Sequence, residues 1–102
     1  MDIVTRSFET PNGLVEGVQV KWEGFGILMV TGKKGFLVCG VFDLDAIGSF
    51  GAAAAIVEST PENPIGTLER FSLRTIMKVN AKARGLGITA GMPVRQAFAL
   101  IA

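Results

Sequence analysis

The sequence predicts an α+β fold: an N-terminal antiparallel β-meander of about four or five strands, then two or three short helices packed on one of its faces. Three observations predict it. Residues 18 to 22 alternate, with Val18, Val20 and Trp22 on one face and Gln19 and Lys21 on the other, which is the period of a half-wet strand. Two short apolar runs, 26–30 and 36–42, flank the polar, glycine-bounded stretch 31–35, which reads as a hairpin. From residue 67 onward the spacing of apolar residues becomes helical. With no repeat, low-complexity tail or linker in the chain, one unit over residues 1–102 is expected.

The elements follow in order. Ile3–Glu9 reads as a first, half-polar strand and Pro11-Asn12-Gly13 as the turn after it. Asp43 or Asp45 suits the cap of a short helix over 44–50. Residues 46–57 are ambiguous: the alanines at 52–55 favour helix, whereas Gly48, Gly51 and the Ile56-Val57 pair favour a stop and a new strand, the reading preferred here. Pro61 and Pro64 mark a loop over 59–66. A helical turn is expected over 67–71 and a longer helix over 72–84, with Leu73, Ile76, Met77, Val79 and Ala83 on one arc. Gly85 and Gly87 suit its stop. Pro93 suits a first helical position, and Val94, Ala97, Phe98 and Ile101 form the buried stripe of a last helix.

Composition narrows the chemistry. The 102 residues contain no histidine, no tyrosine and one cysteine, Cys39. Ser-His-Asp and Cys-His nucleophile pairs are therefore excluded, as are His-based metal sites and, within one chain, Cys-rich zinc sites. What remains is carboxylates, Lys and Arg, hydroxyls and one thiol. A single cysteine rules out an internal disulfide framework and suits a reducing compartment, so a cytoplasmic location is expected. The longest uncharged stretch, Ala46 to Val57, spans 12 residues, short of the roughly 20 that cross a bilayer; no secretory signal and no membrane partner are expected. Net charge is +1, divided as −2 over residues 1–51 (four basic, six acidic) and +3 over 52–102 (six basic, three acidic). Neither value by itself implies nucleic acid.

Three segments, taken in order, resemble the YunC-like family of small bacterial and archaeal proteins of unknown function. They are Thr31-Gly32-Lys33-Lys34-Gly35 through Cys39-Gly40 to Asp43, the glycine-bounded strand after the short helix, and Leu86-Gly87-Ile88 through Gly91-Met92-Pro93 to Arg95 and Ala97. The resemblance runs from about Val18 to Ile101. It implies an α+β fold, a β portion that mediates tetramerisation and no established activity or cofactor. The chain departs from the family in the strand near 51–58, where alanines replace an arginine that follows a glycine.

Candidate site residues are few. Cys39 shares a strand face with Leu37 and Val41, a pattern that suits a small, inert core residue better than a nucleophile. Asp43 and Asp45 form an Asp-x-Asp pair before a helical turn, more in keeping with capping than with a site for a hard cation such as Mg²⁺. Arg74, Lys78 and Lys82 fall at successive i+4 positions and read as the basic face of the 72–84 helix. Three charges with no interleaved aromatic give at most a weak, salt-sensitive attraction to nucleic acid. Arg95 and Gln96 are too few to read bases from the last helix.

The expectation from sequence is a homo-oligomeric, non-catalytic binding or scaffolding protein. A mean hydropathy of +0.45 and an apolar fraction of 49% are high for so small a domain, which hides only about two-thirds of its unfolded surface. A dimer or tetramer would cover the surplus. The alternatives are an enzyme whose site forms between subunits from Cys39, Asp43, Asp45 and Arg95, and a weak nucleic-acid binder acting through the basic face.

Overall fold

The computed structural model describes all residues from Met1 to Ala102. A six-stranded sheet in the order β1-β2-β3-β4-β5-β6 carries four helices. Its strands are β1 (Asp2–Thr10), β2 (Gly13–Trp22), β3 (Phe25–Thr31), β4 (Phe36–Val38), β5 (Ala54–Val57) and β6 (Ile76–Val79). The helices are α1 (Leu44–Ser49), α2 (Leu68–Ser72), α3 (Ala81–Gly85) and α4 (Val94–Ile101). The α+β class and the meander β1–β4 agree with the sequence reading. The sheet is larger than expected and not wholly antiparallel, because β4 and β5 pair in parallel. The connection between them carries α1, as a parallel pair requires a crossover.

Tight turns set the register of the meander. Thr10 pairs with Gly13 and Trp22 with Phe25, so each turn holds two residues. In the second turn Gly24 takes φ +85°, a conformation that glycine adopts without strain. Side chains then alternate between the two faces. On one face lie Phe8, Val15, Leu28, Val30 and Leu37, all buried in one core with residues of α2, α3 and α4. The Phe8 and Phe98 rings meet there at 4.9 Å. The last helix buries the expected stripe of Val94, Ala97, Phe98 and Ile101.

The alanine-rich segment resolves as a strand. Every residue of β5 is buried, and it runs between β4 and β6. Small side chains fit a strand covered on both faces, and burial there overrides alanine's helical preference. Phe36 N donates to Ala53 O at 3.0 Å, which keeps the chain close at that point.

The expected 72–84 helix does not form. Ile76–Val79 pairs instead with β5 as the edge strand β6, through a register shift between Ile56 and Val57. The expected apolar arc is divided: Ile76 is 2% exposed but Leu73 is 69% exposed. Asn80 then starts a separate helix. Its Oδ1 accepts from Ala83 N at 2.9 Å and from Ala54 N at 3.1 Å, and its Nδ2 donates to Ala52 O at 2.9 Å. One side chain therefore caps α3 and fixes the start of β5. The expected strand 36–42 also ends early, at Val38, although Cys39 N still donates to Leu28 O at 3.1 Å.

Candidate functional site

Two clefts open on this framework, and they separate the candidate residues of the sequence. The larger has a volume of about 740 Å³. It lies between the β2–β3 hairpin end and the 59–66 loop, with the exit of β4 (Cys39, Gly40, Val41) beside them. Trp22 and Phe25 form an aromatic pair on its rim, ring centroids 5.5 Å apart. Pro61, Pro64 and Ile65 line the loop side. Cys39 lines this groove as a largely buried free thiol.

The loop side is held by Arg74. Its guanidinium donates to Asn63 O and Pro64 O, both at 2.9 Å, to Asn63 Oδ1 at 3.2 Å and to Glu58 O at 3.4 Å. A guanidinium presents several donors in a fixed plane, and here that fork gathers one turn of chain. On the sheet side Gln19, only 9% exposed, donates from Nε2 to Gly66 O at 2.8 Å. Lys21 is the only charged side chain in the lining.

The second cleft, about 500 Å³, lies beside α1. Asp43 and Asp45 line it together with Lys78 and Arg84. Asp43 is the cap of α1: its Oδ1 accepts from Asp45 N at 2.9 Å and Ala46 N at 3.2 Å. No three carboxylate or thiol groups converge into a cluster that could hold a metal ion. No helix is long and apolar enough to cross a membrane.

Within one chain, then, Cys39 faces one cleft and the two aspartates another. Arg95 lies with neither, its guanidinium reaching Ser72 Oγ at 3.4 Å. The basic face expected of one helix is dispersed: Arg74 precedes β6, Lys78 sits within it and Lys82 belongs to α3. Sequence reasoning missed Gln19 and Trp22 as lining of one groove and Arg74 as the clamp of its loop side. The signal was partly present, since Gln19 sits on the polar side of an alternating strand and yet is buried. Only the 59–66 loop, 40 or more residues away, gives it that environment.

Residues 38–101 match the family described as a domain of unknown function, DUF1805, and the chain belongs to that family. The fold is shared with TA1206 from Thermoplasma acidophilum, a protein of unknown function known from its crystal structure. The match has a TM-score of 0.84 at 18% identity and covers 99% of this chain and 94% of that one. No curated protein matches.

Proposed function

We propose that this protein is a homo-oligomeric, non-catalytic binding protein of the cytoplasm, assembled through its β portion. The observation that carries the reading is the second face of the meander. It presents Ile3, Val18, Val20 and Met29, with Leu14 near one end; Val18, Val20 and Met29 are half-buried in the single chain. Helices α2, α3 and α4 contribute to the core on the opposite face, while the connection through α1 reaches only the β4–β5 end. Ile3 and Leu14 are 63% and 62% exposed. Apolar area left in water forgoes roughly 25 cal/mol per Å², and a second copy offering the same face would recover it. Two-fold pairing is the commonest arrangement for such self-complementary surfaces.

The YunC-like resemblance, which implies tetramerisation through the same region, supports this reading. Cys39 and the Asp43–Asp45 pair line different clefts of one chain, so an enzyme that used them together would need a second copy to bring them together. Arg74, engaged with the 58–64 turn, offers little to a phosphate backbone. Light scattering at micromolar concentration is the test. A mass of two or four chains is expected, and a mass near 10.8 kDa would refute the assembly.

A further inference from the structure

Gln19 is nine-tenths buried, yet only the nitrogen of its amide has a partner. Its Nε2 donates to Gly66 O at 2.8 Å, which settles the orientation of the amide, since only the nitrogen can donate to a carbonyl. The Oε1 is then an acceptor that no protein group fills. No fully sealed side-chain polar atom of this protein lacks a partner, so Oε1 reaches open space, and the space bordering Gln19 is the 740 Å³ groove. A largely buried acceptor facing a cavity favours an occupant that donates to it.

The rest of the lining states what else the occupant carries. Trp22 and Phe25 on one side, and Pro61, Pro64 and Ile65 on the other, offer apolar surface to a flat body. Lys21 supplies the lining's single charge. Asp2 is its cross-strand partner, and Glu23 and Glu62 lie in the adjoining turn and loop outside the lining. The volume suits a small organic ligand.

We infer that the groove binds a small aromatic acid, its ring system between the Trp22–Phe25 pair and the Pro61–Ile65 segment. A hydroxyl or N–H of the ligand donates to Gln19 Oε1, and its carboxylate meets Lys21. This deepens the binding half of the proposed function and does not depend on assembly. Three probes separate the parts: 6-hydroxy-2-naphthoate, its 6-methoxy analogue, which lacks the donor, and 2-naphthol, which lacks the charge. The full chain is titrated with each by ¹H–¹⁵N NMR. Trp22 is the only tryptophan, so the one indole N–H signal reports the groove rim, and calorimetry supplies the affinities. Light scattering on the same samples records assembly separately.

The hydroxy acid is expected to bind saturably and shift the indole signal. The methoxy acid should bind about three- to ten-fold more weakly, and 2-naphthol about two- to five-fold more weakly. Lys21→Ala should remove the advantage of the acid over naphthol while leaving naphthol's affinity unchanged. Gln19→Leu should remove the advantage of hydroxy over methoxy; if that variant does not fold, the methoxy comparison on the natural chain decides the same point. No saturable binding, equal affinities for the three probes, or indifference to Lys21→Ala would each overturn the inference.

Discussion

Gly32 and Asn80 show how single residues hold this fold together. At Gly32 the hairpin passes against the end of α4, and a Cβ there would strike the Ile101 carbonyl. The neighbouring Lys34 N donates to that same oxygen at 2.8 Å, so the two segments cannot separate without losing the bond. Gly32→Ala is expected to destabilise the protein by about 2–3 kcal/mol, the cost of overpacking a close backbone contact, read as a lower urea midpoint. Asn80 acts through hydrogen bonds instead. Asn80→Ala removes three of them at once, one a helix cap. At about 1 kcal/mol each, a loss of about 2–3 kcal/mol is expected by the same measurement. A loss below 1 kcal/mol in either variant would show that the contact is replaced by water or by relaxation. The cap of α3 by Asn80 is local, but the contact of Gly32 with Ile101 and the bonds of Asn80 to Ala52 and Ala54 are not legible from a lone Gly or Asn, because those partners lie more than 20 residues away.

Among the elements, the strand β6 and the 59–66 loop are where local pattern and structure part. The 72–84 segment satisfies a helical arc on paper, and an isolated peptide would face no competitor. In the folded chain β5 offers an open edge, and Ile76–Val79 takes it. Asn80 in mid-segment was the visible sign of a break, since asparagine favours helix starts over helix interiors. Arg74, read from sequence as a solvated charge, instead clamps the loop. Arg74→Ala is expected to speed hydrogen exchange at Asn63, whose amide donates to Thr60 O at 3.0 Å, by several-fold, while exchange in β3 stays unchanged. Equal acceleration in both places would mean that the clamp supports the whole fold and not the loop. The groove depends on this loop, so the same variant should weaken binding of 6-hydroxy-2-naphthoate.

At the scale of the whole molecule the open sheet face sets the behaviour. If copies pair through it, the melting temperature rises with protein concentration, because association stabilises only the folded chain. Met29→Lys, at the middle of that face and opposite Val18, is expected to return the protein to a monomer with its circular dichroism intact. A variant that keeps the natural mass would move the interface elsewhere on the molecule.

Much of the architecture was written locally. The strand through Val18–Trp22, the glycine-bounded hairpin, the Asp43 cap and the stripe of the last helix depend on neighbours within a few residues, and each forms, although the second hairpin strand stops at Val38 and the polar Gln19, not Trp22, lies on the buried side of its strand. The absence of histidine and the lone thiol likewise limited the chemistry before any fold was known. Tertiary structure alone decided the rest. It made a strand of Ile76–Val79 because a partner edge was present, and it set β5 parallel to β4 through α1. It parted Cys39 from Asp43 and Asp45 into different clefts. It also buried Gln19 beneath a loop held by Arg74. Each of these rests on contacts between residues distant in the chain, whose energies no local window contains.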